Sequence, residues 1–123
     1  MSYIITPIGS PIGTVFITDS DANATAQKDV AAAAATIHVI EVDNTNNASV
    51  PVYFKVYDLA NPSVGTTVPD MKLKVPMGGK VVMQMTEGYE LANALSYCCT
   101  TETATSGITG PSRDVPVVML VEV

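Results

Sequence analysis

Short runs in which apolar and polar residues alternate recur along the chain from residue 36 onward. They are rich in β-branched and aromatic residues, and turn-forming residues separate them at intervals of about ten residues. Alternation with a period of two places one face of a strand against a core and the other face in water. The pattern therefore predicts a single antiparallel β-sandwich with strands at residues 36–43, 50–58, 71–75, 80–85, 95–101 and 115–123.

A pair of glycines, Gly78 and Gly79, separates the segments 71–75 and 80–85. Glycine accepts the positive φ angles that a tight primed turn requires, so we expect a β-hairpin whose two strands are neighbours in one sheet. The alternation also predicts that Leu73 and Met83 are buried and that Lys72 and Lys74 are exposed.

The linker 44–49 (NTNNAS) consists almost entirely of turn formers. Its composition predicts that the segments 36–43 and 50–58 are also adjacent and antiparallel. Residues 59–68 and 107–113 contain Asn-Pro, Gly and Gly-Pro sequences and are typical of loops.

The first 35 residues follow a different pattern. Their apolar stretch, 4–17, is interrupted by residues that disfavour a regular strand or helix: Pro7, Gly9, Pro11 and Gly13. We expect an extended N-terminal arm or an irregular edge strand followed by a loop, so the chain divides into this segment (1–35) and a β-sandwich domain (36–123). The five alanines at 31–35 predict either a single helical turn or an extended lead into the next strand.

The apolar side chains of the N-terminal arm are the candidate partner contacts. A segment of this composition is too apolar to remain solvated by itself, so it must pack on its own domain or on a partner. The predicted interface residues are Ile4, Ile5, Ile8, Val15 and Phe16.

The charge of the chain limits the classes of partner that it is expected to bind. Charged residues make up 15% of the sequence, against about 25% in a typical globular protein, and the net charge is −6 with no basic run. Nucleic acids and anionic membranes are disfavoured because both require clustered cations, and no segment approaches the ~20 apolar residues of a membrane span. A low-charge surface indicates that part of it contacts protein. The start, MSYIITP, lacks the cationic region of a signal peptide, which favours synthesis in a cytoplasm.

The last segment, 115–123, carries no positive charge. An open edge strand of that composition invites aggregation, so we expect it to lie inside a sheet or to pair with another chain. Together with the low surface charge, this predicts a symmetric homo-oligomer, most simply a trimer, or many copies on a lattice.

The residues that most often carry chemistry are scarce. The single histidine, His38, is expected on the same strand face as Ile40, and spacing identifies no partner for it. Cys98 and Cys99 are neighbours that point to opposite faces of a strand, so we expect free thiols with one of them in the core.

Residues 19–23 (DSDAN) begin like a calcium-binding loop. Ala24 and Val30, however, occupy the positions where such a loop requires glycine and glutamate. We predict no catalytic, cofactor-binding or metal-binding residue, and therefore no enzymatic activity.

Four stretches carry a resemblance to a known group of proteins: 42–47 (VDNTNN), 52–58 (VYFKVYD), 64–70 (VGTTVPD) and 75–80 (VPMGGK). Together they resemble a recurrent pattern of tailed-bacteriophage virion proteins, in which Asx turns, a Gly-Thr-Thr loop and a Gly-Gly turn connect short strands. The resemblance covers the sandwich domain and not the N-terminal segment. It departs at YELANAL, which begins at Tyr89, where such modules usually have an aromatic-rich hairpin.

The resemblance implies a small jelly-roll-like β-sandwich that decorates or cements a capsid, with a neck or tail accessory as the alternative. Its location would be the virion, and its partners would be further copies of itself and the major capsid protein or other virion proteins. A receptor- or glycan-binding module is a hypothesis of another class, in which Tyr53, Tyr57 and Tyr89 form an exposed aromatic face. The same tyrosines also fit buried cross-strand pairs.

Overall fold

The computed structural model describes residues 3–10 and 13–123, which form eight strands and no helix. The strands are β1 (Tyr3–Ser10), β2 (Gly13–Asp19), β3 (Ala35–Asp43), β4 (Val52–Tyr57), β5 (Met71–Val75), β6 (Lys80–Leu91), β7 (Ser96–Thr100) and β8 (Val117–Glu122). They build two antiparallel sheets, ordered β1-β2-β8-β3-β6 and β5-β4-β7. The predicted all-β sandwich is confirmed.

The core lies between the two sheets and takes alternate residues from each strand. Ile17, Ile40 and Met119 supply it from the five-stranded sheet, and Phe54 and Tyr97 from the three-stranded sheet, each at most 1% exposed. The Phe54 and Tyr97 rings pack with their centroids 5.3 Å apart at a tilt of 35°. Burial of side chains of this size is the main stabilising contribution to such a domain.

Two strand pairings expected from the turns are wrong. β5 pairs with β4 and β6 pairs with β3, so the glycine turn joins strands of different sheets. β3 and β4 also lie in opposite sheets. At the glycine turn, Gly78 takes a φ of 66° and the Gly79 N–H donates to the Pro76 carbonyl oxygen at 3.0 Å. The turn residues reverse the chain as expected, but the strand that follows each turn lies in the opposite sheet.

Two buried asparagines explain why the linker after β3 crosses between the sheets. Asn44, which is fully buried, donates from Nδ2 to the carbonyl oxygens of Val50 at 3.0 Å and Pro76 at 3.2 Å. Asn47 donates from Nδ2 to Asn44 Oδ1 at 3.0 Å, and its own Oδ1 accepts from the Arg113 N–H at 3.1 Å. These bonds satisfy the polar groups that the crossing buries, and they tie three connecting segments together.

The N-terminal residues differ from the predicted arm because they form part of the sandwich. β1 and β2 are an antiparallel pair, and β2 also pairs with β8. Pro7 is tolerated because β1 is an edge strand, whereas Pro11 lies outside the described residues. Of the two alternatives for this segment, packing on its own domain is the one observed, and Ile17 at 1% exposure belongs to the core.

The segment between β2 and β3 covers the edge of β7. Gln27 and Tyr97 exchange backbone hydrogen bonds of 2.9 and 3.0 Å, and the Cys99 N–H donates to the Asn23 carbonyl oxygen at 2.8 Å. The helical turn considered for residues 31–35 does not form, because Ala32 adopts a φ of 58° in a tight turn that leads into β3.

A bulge in β3 changes the expected orientation of His38. The register of β3 against β6 and β8 shifts between Ile37 and Val39, so that Ile37 and Ile40 both face the core with no exposure. The prediction that His38 shares a face with Ile40 is therefore wrong. His38 lies beside Glu122 of β8, with 3.1 Å between Nε2 and Oε1.

The C-terminal strand lies inside a sheet, as predicted, because β8 runs between β2 and β3. This placement removes the argument for an oligomer that rested on an open β8 edge. Lys72 and Lys74 are exposed as predicted. The prediction that Leu73 and Met83 are buried is wrong: both pack against the core but are only partly buried, because they belong to the edge strands β5 and β6.

Candidate interaction face

The register of the five-stranded sheet aligns two rows of side chains on the surface that faces away from the core. Residues paired across antiparallel strands point to the same side, so the pairs give the rows directly. One row contains Thr6, Phe16, Leu120, Val39 and Gln84, and the other contains Ile4, Thr18, Val118, Glu41 and Val82. We call these positions the outer face.

The outer face is mostly apolar and carries a single charged residue, Glu41. Ile4 is 64% exposed, Val82 53% and Phe16 38%, whereas Leu120 at the centre is 7% exposed and Val39 and Val118 are half-buried. The Glu41 carboxylate lies 3.1 Å from the Lys80 ammonium, so its charge is already paired. Further charged residues lie beyond the two ends of the rows: Asp43 and Lys80 at one end, Glu90 and Glu122 at the other. An apolar centre with a charged border is typical of a protein interface.

The corresponding surface of the three-stranded sheet is covered by the chain's own loops. Lys55, Tyr57 and Cys98 face away from the core there, yet each is at most 1% exposed. The Lys55 ammonium donates to the carbonyl oxygen of Ala104 at 2.9 Å and holds the loop after β7 over the sheet. Among the described residues, the outer surface without such a cover is that of the five-stranded sheet.

Two of the five predicted contact residues, Ile4 and Phe16, lie on the outer face. Ile5 pairs with the buried Ile17 and therefore points to the core side, where it is 40% exposed at the sheet edge. Val15 packs against the core, and Ile8 is half-buried beyond the regular part of the β1–β2 pairing. The structure thus brings Ile4 and Phe16 to one surface and separates the other three from it.

Four apolar members of the outer face are absent from the predicted contacts: Val39, Val82, Val118 and Leu120. The sequence contained a signal for two of them, because β8 is apolar at both its core-facing and its outward positions. That pattern indicates a strand in the interior of a sheet. It does not indicate how far the outward side chains are exposed, because that depends on other parts of the chain. In the structure Leu120 is 7% exposed and Val118 is half-buried.

The buried groups around β7 are poorly suited to nucleophilic chemistry. The Tyr57 hydroxyl lies 3.5 Å from the Cys98 sulfur, and burial raises the pKa of Tyr57 well above its usual value. Burial also raises the pKa of Cys98, and it raises the pKa of Cys99 to about 12. Both thiols are free, as predicted, and remain protonated at neutral pH, which makes them weak nucleophiles.

Asp19, the first carboxylate of the segment that resembles a calcium-binding loop, is buried and hydrogen-bonded within the domain. Asp19 is 2% exposed, and its Oδ2 accepts a hydrogen bond from the Tyr97 hydroxyl at 2.7 Å. Its Oδ1 accepts from the Asp21 N–H at 2.9 Å. No group of three or more His, Cys, Asp or Glu residues within 3–10 and 13–123 is arranged to hold a metal ion.

The three tyrosines considered for glycan binding do not form one exposed aromatic face. Tyr57 is 1% exposed, and Tyr53 is half-buried on the same side of β4. Tyr89 lies on β6 in the other sheet, and its hydroxyl donates to the Asp70 carbonyl oxygen at 3.3 Å.

Comparison of the chain with known protein families, curated proteins and solved structures finds no match. In the part of the chain that the structure describes, no helix is long and apolar enough to span a membrane.

Proposed function

We propose that this protein is a non-catalytic structural component that attaches to a larger protein assembly through its outer face. The observation that carries the proposal is the composition of that face, whose single charged residue is already paired with Lys80. Several large apolar side chains exposed on one face, here Ile4, Phe16 and Val82, usually mark a site of interaction. Attachment would remove this surface from water, which is the main driving force in most protein association.

The assembly that we propose is the head shell of a tailed bacteriophage, with the protein acting as a decoration or cement subunit. The resemblance of residues 36–123 to small virion proteins and the low charge of the chain support this choice. In this role the sandwich occupies a junction between capsomers, and its contacts with the major capsid protein raise the barrier to opening of the shell. A neck or tail position is the alternative of the same class.

Ile4 and Ile108 offer a matched pair of variants for testing attachment. Both isoleucines are 64% exposed, but Ile4 lies on the outer face and Ile108 lies in the loop before β8. Ile4→Glu introduces a charge that binding would desolvate, so we expect attachment to weaken by about tenfold or more. Ile108→Glu should leave attachment unchanged. The measurement is co-sedimentation of each purified variant with empty, expanded heads of the phage that encodes the chain.

The results separate the proposed roles. Equal co-sedimentation of both variants and the unmodified protein would exclude the outer face as the attachment surface. Binding to isolated necks or tails instead of heads would favour the alternative position. Binding to a glycan array without binding to any virion part would refute the structural role.

A further inference from the structure

The edges of the two sheets differ in how they are protected from pairing with other strands. The β7 edge is covered through Gln27, β5 is short and carries Lys72 and Lys74, and β1 contains Pro7. These are the usual devices that keep an edge from pairing. β6 is an edge strand of 12 residues whose pairing with β3 is interrupted between Gln84 and Tyr89. Its segment 81–86 (VVMQMT) contains no charge, proline or glycine.

The hydrogen-bond ladder identifies which backbone groups of β6 face outward. The Asn44 N–H donates to the Gly79 carbonyl oxygen at 2.8 Å, which fixes the phase of the antiparallel pairing between β3 and β6. Because bonded positions alternate along such a strand, residues 81 and 83 bond to β3. The N–H and C=O groups of Val82 and Gln84 therefore point away from β3, towards the open edge.

We propose that β6 pairs antiparallel with β6 of a second copy of this chain, about a twofold axis at Met83. In this register, Val82 of each chain lies opposite Gln84 of the other, and each such pair exchanges two N–H···O=C bonds through the outward groups. The two five-stranded sheets then become one continuous sheet, and β6 is no longer an open edge.

The side chains of β6 favour a second copy in this orientation. On the core side, Val81, Met83 and Met85 pack against the core but remain only partly buried in the single chain. The twofold axis places Met83 against Met83, and Val81 against Met85 of the second copy. The contact therefore buries apolar surface that each chain alone leaves partly in water.

The pattern of β6 itself favours a second copy over an unrelated strand. About the axis at Met83, the partly buried row of Val81, Met83 and Met85 lies antiparallel beside the same row of the second chain, so the two rows complete each other. The antiparallel register places Lys80 of one chain opposite the uncharged Thr86 of the other, whereas parallel in-register pairing would place the two Lys80 side chains together, which destabilises cross-strand pairs. The contact has the self-complementary form of a twofold dimer.

The pairing does not depend on the proposed attachment to a phage head, because it is measured in the absence of any shell. Both outer faces would lie on the same side of the continuous sheet. A dimer would then present two attachment surfaces to one assembly, which would strengthen attachment through effective concentration. Failure of dimerisation would leave attachment by a single chain intact, so the two proposals fail separately.

Met83→Cys tests the position of the axis. At a non-hydrogen-bonded antiparallel position the two Cα atoms are about 4.5 Å apart, which is within disulfide range. We expect this variant to form a covalent dimer under mild oxidation, seen on a non-reducing gel. Met77→Cys is the matched control, because Met77 is 54% exposed but lies in the turn before β6. The native Cys98 and Cys99 are buried and should not contribute.

Val82→Pro tests the edge without disturbing the ladder to β3. Its N–H points outward, so proline removes a donor from the dimer contact and no bond from the sheet. We expect sedimentation analysis at about 100 μM to show a dimer for the unmodified protein and a folded monomer for the variant. A monomeric unmodified protein at that concentration would overturn the proposal, as would a folded Val82→Pro dimer. If that variant unfolds, the cross-linking decides, and equal cross-linking by Met83→Cys and Met77→Cys would count against the pairing.

Discussion

Replacing Ile17 by alanine measures how much of the fold depends on the N-terminal residues. Ile17 is 1% exposed, and its strand is bonded on both sides, to β1 and β8. The change removes three buried carbon atoms, which at about 0.8 kcal/mol each gives a transfer cost of about 2.4 kcal/mol. The cavity that remains adds to this cost, and buried Ile→Ala changes typically destabilise by about 2–5 kcal/mol.

Thermal and urea unfolding followed by circular dichroism would measure the loss. The chain has 123 residues, and an unfolding entropy of about 2.1 cal/mol/K per residue converts each kcal/mol into about 4 °C of Tm. We therefore expect Ile17→Ala to lower Tm by about 8–19 °C. Ile4→Ala is the control, because Ile4 lies on the adjacent strand but is 64% exposed, and its effect should stay within about 0.5 kcal/mol.

An Ile17→Ala variant that melts within about 2 °C of the unmodified protein would refute this reasoning. It would mean that β2 does not belong to the cooperative core, and that the first residues behave as the extended arm that the sequence allowed. A large loss would instead predict that deletion of residues 1–18 unfolds the domain, because the deletion would leave β8 without its β2 neighbour.

Three further measurements follow from the buried and hydrogen-bonded side chains. Tyr97→Phe keeps the ring but removes the 2.7 Å hydrogen bond to a buried carboxylate, so urea titration should show a loss of about 1–3 kcal/mol, and an unchanged midpoint would contradict this role. Because burial raises the pKa of Cys98 and Cys99, Ellman's reagent at pH 8 should react with them only after unfolding, and rapid reaction of the folded protein would oppose that expectation. Hydrogen bonds from backbone N–H groups, above all that of Asn93, lower the pKa of Asp58 in the folded state. The Asp58 carboxylate therefore contributes stability above its unfolded pKa of about 3.9. This contribution is lost as the pH falls through the folded pKa. Below about pH 4, Tm should therefore fall more steeply for the unmodified protein than for Asp58→Asn, and equal slopes would assign the acid sensitivity to other groups.

The strand segments and most of their core-facing residues were predictable from the sequence, because a strand's two faces follow from a period of two within a few residues. The alternation in β5 shows this, since Lys72 and Lys74 are exposed and Val75 is buried as expected. His38 shows the limit of the same argument. A bulge reverses the alternation of faces for the residues that follow it, and no residue near His38 in the sequence indicated that a bulge would form.

Strand neighbours were decided by tertiary structure. A tight turn such as that at Gly78 reverses the chain through its own dihedral angles, but those angles do not specify whether the next strand stays in the same sheet. The buried Asn44 decides this here, because its side chain bonds both to Val50 at the end of its own linker and to Pro76, which is 32 residues away in sequence. Only the folded chain brings those acceptors together.

The outer face likewise depends partly on patterns within each strand and partly on pairing between strands that are distant in sequence. The sequence showed that β8 carries no positive charge and should either lie inside a sheet or pair with another chain, and the structure places it between β2 and β3. The sequence also marked Ile4 and Phe16 as apolar residues without a regular local structure. The tertiary structure decided that β2 pairs with β8, which aligns Phe16 with Leu120. This pairing places the N-terminal segment in the sheet although it contains several glycines and prolines. The physical reason is that the backbone N–H and C=O groups of a strand bond to a segment that is distant in sequence. These bonds can override the local conformational preference of the strand, and the neighbouring residues in the sequence do not reveal them.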